Sequence, residues 1–499
     1  MGKTIAGCAL AALATLVCLL SPVGPARAGQ GQLVISVPAE PPHLDPSSSP
    51  TDSTAAVVHI NLFEGLTRID QHGVAQPCLA ERWHVSGDGQ TYTFYLRRNV
   101  RFHDGSPFNA DVAAFSLRRI IAEGSANSQR SQFLHLDRIE PVADNILRLT
   151  LSHPDAGLLF KLGQGGAAMV SPGTVSTNHL QPNGTGPFAF VRWTPGKQLE
   201  LRRFDGYWGR PAGMALVIFR FISNPLAALS DLNIGDINAA TRLPLQLDLR
   251  GFADSGQFRI SSVATEGEVV IDVNHSRKPF NDLRVRQALS HAINRAPLTE
   301  DPETRLGPAI GSHLPPHHPA YIDLTGRYPH DPAMARTLLA EAGYPDGITA
   351  RLALPPFWYA RIAGLVLANQ LQAAGFTVET EELDWREWLD RVYRRHDFDL
   401  TIIAHTEPND ISLYARRDYY TSYRNPAFDA LVERIERTVD LGQQYVLLQE
   451  AQRMLANDAA AVFLFQLTLR NAYDRRLEGL WESLPIEVTD VTAARWKEP

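Results

Sequence analysis

The side chains able to do chemistry are spread along this chain without the spacing that catalysis requires. Outside the first 28 residues there is one cysteine, Cys78. A nucleophilic thiol needs a base beside it, and neither His72 nor His84 is placed there by any recognisable spacing, so Cys78 reads as a small buried apolar side chain. No Gly-x-Ser-x-Gly, His-Glu-x-x-His or clustered Cys/His pattern occurs. Dispersed Asp and Glu define no acid–base pair, and nothing calls for a cofactor. His313, His317 and His318 are a metal-ligating type of residue. However, Pro315, Pro316 and Pro319 put them on an extended loop, where adjacent imidazoles rarely converge on one ion, and a solvated loop without metal is the expectation. Gly163-Gln164-Gly165-Gly166 lacks the lysine of a phosphate loop and reads as a turn. The residue chemistry argues against an enzyme.

The first residues carry an address. Lys3 precedes the apolar run Ile5 to Leu20, Pro22 and Pro25 break it, and Ala26-Arg27-Ala28 has the small-x-small form of a cleavage site. The run is about sixteen residues, short of the roughly twenty a spanning helix needs. Cleavage after Ala28 would leave a mature chain starting at Gly29, exported to the periplasm of a Gram-negative cell. Ile5-Ala6-Gly7-Cys8 resembles a lipobox but leaves no room for an apolar region before it. Export removes Cys8 and Cys18, so the oxidising compartment can close no internal disulfide. Without Lys3 and Arg27, 45 of the 47 basic residues face 54 acidic ones, a net charge of −9 that disfavours nucleic acid and anionic membrane as partners. The 44% of hydrophobic residues can fill cores for two or three domains.

The elements that must position any site follow from periodicity. Strands are read at Gln32 to Val37, at Thr91 to Leu96 with Tyr92, Phe94 and Leu96 on one face, and at Asn145 to Leu151. Phe188 to Trp193 and Gln198 to Arg203 form a hairpin around Pro195-Gly196. Helices are predicted over Thr54 to Leu66 and from Asn109 or Asp111 to Glu123. Others begin at the N-cap Asp282 and at Asp331-Pro332. Tyr359 to Ala374, Trp385 to Arg394, Phe428 to Arg437 and Gln443 to Asn457 complete the set. Strands at Thr377 to Glu382 and Asp399 to Ala404 alternate with these helices, which indicates an α/β lobe.

The run Asn61-Leu62-Phe63-Glu64-Gly65-Leu66-Thr67 is followed by Pro77 to Trp83 and Asp88 to Leu96. It ends in Phe102-His103-Asp104-Gly105-Ser106-Pro107-Phe108-Asn109-Ala110-Asp111-Val112, and the whole resembles the signature of the family 5 extracellular solute-binding proteins. Further blocks recur in that family's order: Gly184 to Phe188 with Tyr207-Trp208, Asn274 with Pro279-Phe280 and Arg284 to Ala288, Asp331 to Gly343, and Asn425 to Asp429. The resemblance implies an α/β fold of two lobes joined by a hinge, a periplasmic binding protein of the cluster C type with an extra α/β domain on the first lobe. Lobe I would comprise residues 29–62, 184–266 and 474–499, the extra domain 63–183, and lobe II 267–473. It also implies a monomeric receptor that captures a small solute between the lobes and hands it to the membrane subunits of an ABC importer. A peptide is the leading ligand, with a sugar, opine or nickel or other metal chelate as the alternative.

In peptide-binding members the ammonium partner follows the buried strand of the second lobe, and tryptophans mark that strand's end and the start of the preceding helix. Trp385 matches the latter. At the strand end this chain has His405-Thr406-Glu407-Pro408-Asn409-Asp410, with His405 in the tryptophan position and Pro408 about where the aspartate falls. Asp410 and Glu407 are the acids left for an amine, with Asp410 the preferred partner. Asp410 could equally cap the turn before Ile411 to Ala415. For a ligand carboxylate the candidates are Arg361 and Arg386, which surface ion pairs would explain as well. Tyr359 and Trp358 follow Pro355-Pro356, where members of the family contact ligand or pack between lobes. Asn274, ending the strand Val269 to Val273, is expected to tie the hinge by hydrogen bonds.

Overall fold

The computed structural model describes residues 31–48, 52–127, 129–301, 305–408 and 410–497. The expected leader with Cys8, Cys18 and the lipobox match, and Asn409, lie outside the described residues. Among those residues no helix is long and apolar enough to cross a membrane.

Two long strands organise the molecule. Phe258–Val273 and Ala461–Asp474 run antiparallel, Phe258 opposite Asp474 at one end and Asp272 opposite Ala461 at the other. At about 3.3 Å per residue they span two bodies of structure. One end builds a sheet half in the order 461–474, 239–243, 32–37, 216–221, 198–203, 188–194, and the other continues through 400–405 and 348–354 to 376–382. The register slips between Ala264 and Glu268, where the pair passes from one half to the other. The crossing lies near Gln466 to Thr468, inside the span 267–473 that the sequence assigns to the second lobe, because strand continuity leaves no mark in composition.

Val269, Ile271 and Val273 face a helix-covered core with Val285, Leu289, Leu339, Leu367 and Leu400. Val270, on the other face, meets Ile403, Trp388, Tyr414, Tyr419 and Tyr420. The near-continuous apolar run is therefore buried on both sides, as strands under helices are. A separate four-stranded sheet, ordered Ala80–Val85, Thr91–Leu96, Ile146–Leu151, Leu136–Ala143, packs on the helix Ala110–Ile121. Tyr92, Phe94 and Leu96 alternate into that core, and Cys78 is buried within it. Asn109, not Asp111, caps the helix, accepting from the Val112 N–H.

Two local expectations are corrected and one, the helix from Trp385 to Arg394, is refined. The helix predicted over Thr54 to Leu66 spans Asp52–Val58 only, because Ile60 takes a left-handed φ of 65° and the backbone folds back through an Ile60 N–H to Phe63 carbonyl bond. The stretch after Trp385 is helical through Trp388 and then widens into a π-type turn over Leu389–Arg394. The loop holding the three histidines is not solvated: His313 is fully buried and His317 partly so. Apolar side chains Ile310 and Leu314 draw this segment into the core beside Phe463.

Candidate ligand-binding face

Three parallel strands, Ile348–Leu354, Phe376–Glu382 and Leu400–His405, point their carboxyl ends the same way. Leu400–His405 is antiparallel to Phe258–Val273, with His405 opposite Glu268, so these ends face the crossing between the halves. Ligands of open α/β sheets collect at the carboxyl ends of parallel strands, where the chain leaves in loops and helix starts. The three loops that follow carry Trp358 and Tyr359, Trp385 and Arg386, and Glu407 and Asp410. Sequence-distant candidates are brought to one edge.

An aromatic ledge lines it. Trp385 stacks on Trp388 with centroids 5.1 Å apart and leans on Phe357 at 5.1 Å, yet stays 42% exposed. Trp388 is buried and donates its indole N–H to the Thr401 hydroxyl at 3.0 Å. Tyr359 stacks on Phe357 but is buried, its hydroxyl accepting the Ala404 N–H at 3.1 Å. Tyr359 thus holds the strand end, and Trp385 offers the open face.

Beneath the ledge is a buried polar cluster. Glu268 and Asp272, four residues apart, lie on the same face of their strand as Val270. The two nitrogens of His405 meet Asp410 Oδ2 at 3.2 Å through Nδ1 and Asp272 Oδ2 at 3.1 Å through Nε2. Carboxylates only accept, so both ring nitrogens carry protons. Burial opposes that charge, but Asp272 and Asp410 outweigh it and hold the imidazole well above its ordinary range. The second oxygen of Asp410 accepts from His313 Nε2 at 2.6 Å. Burial raises the Asp410 carboxyl, yet His313 and His405 together pull it well below the usual carboxylate range. Tyr420 donates its hydroxyl to Asp272. For Glu268, burial first, then Asp410 and Glu266, push the carboxyl well up against a smaller pull from His405, and its Oε2 has no partner among the described residues. Nearby, His317 Nε2 meets Glu266 Oε1 at 2.5 Å and its Nδ1 lies 3.0 Å from Gln466 Nε2, joining the histidine loop to both crossing strands.

The nominated residues divide accordingly. Trp385, Arg386 and Glu407 are exposed on the face. His405 and Asp410 lie under it, paired with each other. Arg361 is in an ion pair with Glu382 at 3.0 Å, both half-exposed, and reads as surface. Asn274 is corrected as a hinge tie. Its Nδ2 donates to the His396 and Phe398 carbonyls at 2.8 and 3.1 Å and its Oδ1 accepts from Ser276, all within the second half at the strand end remote from the crossing. Sequence reasoning missed Glu268, Asp272, Tyr414 and Tyr420. The available signal was two acids four apart in the apolar stretch Glu268-Val-Val-Ile-Asp272.

A cavity of ≈320 Å³ also lies in the first half, lined among others by Glu64, Cys78, Tyr207 and Trp208. It holds none of the nominated residues, and Tyr207, Trp208 and Thr185 all donate to the buried Glu64, which makes it a packing junction of the signature blocks.

Residues 74–432 match the family model described as bacterial extracellular solute-binding proteins, family 5 middle. The chain is 28% identical to the glutathione-binding protein GsiB of Pectobacterium atrosepticum, over 95% of both chains. It is 26% identical to di/tripeptide-binding protein 1 of Pseudomonas aeruginosa, over 86% of this chain and 88% of that one. Among solved structures it resembles the periplasmic binding protein DppA from Helicobacter pylori in complex with the peptide STSA. There the TM-score is 0.77 with 22% identity, covering 94% of this chain and 98% of that one, a likeness of fold.

Proposed function

Since this chain belongs to the bacterial extracellular solute-binding proteins of family 5, we propose that it is the periplasmic receptor of an ABC importer for peptides or peptide-like zwitterions. The ligand is held against the carboxyl ends of the three parallel strands and released to the membrane subunits. The observation that carries the reading is the aromatic ledge: Trp385, exposed over Trp388 and beside Phe357, gives an extended ligand a flat apolar contact at the place where the sheet halves cross. The peptide- and glutathione-binding relatives support the ligand class. Lobe I, the extra domain and lobe II take the spans read from the sequence, except that residues 469–473, part of the strand that pairs with 239–243, go to lobe I. The lobes move about the crossing strands, and the protein acts as a monomer in the periplasm after loss of residues 1–28.

Asp410 is shut between two imidazoles, so Glu407, exposed at the strand end, is the acid assigned to the ligand ammonium, and Arg386, exposed beside Trp385, the cation assigned to its carboxylate. Mass spectrometry of what co-purifies, with calorimetric titration of di- and tripeptides, tests this. Recovery of peptides with micromolar or tighter affinity is expected. A sugar, opine or chelate recovered with no peptide affinity would overturn it.

A further inference from the structure

We propose that His313, His405 and Asp410 form a buried site for a first-row transition-metal ion, held by protein side chains alone within the second half of the sheet. One ligand atom from each residue lies within 4.8 Å of the others. The set is two imidazoles and one carboxylate, which suits zinc, nickel, cobalt or copper and is poor for magnesium or calcium. Tetrahedral bonds of about 2.0–2.1 Å separate ligand atoms by roughly 3.3 Å. His405 Nδ1 stands 3.2 Å from Asp410 Oδ2 and His313 Nε2 stands 2.6 Å from Oδ1, so one carboxylate already gathers both imidazoles, and a small outward shift of the rings would open the space between them to an ion.

The outer shell is built. His405 points its other nitrogen, Nε2, at Asp272 Oδ2, and Tyr420 donates to the same oxygen. This carboxylate–histidine pairing fixes ring orientation in metal sites and leaves Nδ1 aimed at the ion. Hydrogen bonds alone also leave the cluster unbalanced. Four acids, Glu266, Glu268, Asp272 and Asp410, crowd three imidazoles, His313, His317 and His405, with the Tyr420 hydroxyl donating to Asp272. Among the described residues, Glu268 Oε2, Asp272 Oδ1, His313 Nδ1 and the Tyr414 hydroxyl are buried without partners. Glu268 is 3% exposed and stands opposite His405 in the ladder, where its carboxylate is the available fourth ligand. On binding, the ion takes the place of the protons on His405 Nδ1, His313 Nε2 and the Glu268 carboxyl; these are released to solvent, except that His313 keeps one proton on Nδ1, so that both imidazoles bind neutral. The ion would pin the histidine loop to the turn Asp410–Ala415, beneath the ligand face.

The test uses the purified protein stripped with chelator and dialysed, titrated with zinc and nickel chloride by calorimetry. One equivalent with a Kd below about 1 µM is expected. Asp272→Asn, outside the ligand set, should weaken it about 10- to 100-fold, and His313→Ala should abolish it, while His330→Ala on an exposed loop changes nothing. Anomalous diffraction from a zinc-soaked crystal places the ion without any variant, so misfolding of His313→Ala leaves the question decidable. An ion found elsewhere, binding weaker than about 100 µM, or unchanged affinity in Asp272→Asn and His313→Ala would overturn the site. Peptide titration of the stripped protein reads the proposed function separately.

Discussion

Trp385 and Asn274 show how differently two nominated residues can serve. Trp385 is exposed and stacked, so Trp385→Ala removes contact area from the proposed ligand face and little from the core. Calorimetry should show peptide affinity falling by about 1–2 kcal/mol, with the unfolding midpoint nearly unmoved. Asn274 is buried with four side-chain hydrogen bonds. Asn274→Ala leaves carbonyls of His396 and Phe398 unpaired in the interior, and urea unfolding should register a loss of about 2–3 kcal/mol with unchanged ligand affinity. Their residue types were legible in the sequence, but their roles were not: a tryptophan and an asparagine at element ends look alike until burial and partners are known. His405 is the sharper case. Its place at a strand end was readable, but its two carboxylate partners come from positions 133 and 5 residues away.

At the scale of elements, alternation and caps carried far. The strand Thr91–Leu96 and the caps Asp282 and Asp331 stand where period and side-chain type put them. Where local pattern failed, a long-range contact was responsible. The histidine loop looked extended and wet because prolines crowd it, but residues 306–310 lie along the crossing strand, with Gln466 donating to Pro308 and Ile310 donating to Leu464. Gly307 is needed there, since an added Cβ would sit 1.8 Å from the Gln466 carbonyl oxygen. Gly307→Ala should therefore cost at least about 2 kcal/mol in denaturant unfolding, as overpacking against backbone does. A stability equal to the parent would show that the segment can move aside.

For the molecule as a whole, acid is the informative variable. Burial pulls His59, His103 and His275 from an ordinary value near 6.5 down to about 4. Between those values the unfolded chain binds more protons than the folded one. Stability is therefore full above pH 6.5 and falls as the pH drops toward 4, by up to about 3 kcal/mol per group. His103 must stay neutral, for its Nδ1 accepts the Gly184 N–H while its Nε2 donates to the Gly186 carbonyl. His103→Gln should flatten the pH dependence of the urea midpoint over that window. The separate four-stranded unit also meets the second half away from the crossing, where the Ala156 N–H reaches the Glu436 carbonyl at 3.3 Å and Val439 lies over Gly89. Val439→Asp should loosen this contact and weaken ligand binding roughly three- to tenfold by favouring the separated arrangement, visible as a larger radius in small-angle scattering. By itself the sequence determined the family, the α/β class and most elements, because signature blocks, period and caps are local and survive without coordinates. Only the tertiary structure decided which acids and imidazoles share a site. Glu268, Asp272, His313, His405 and Asp410 come from three separate segments, and the contacts among them are set by strand register and burial, which no local pattern records.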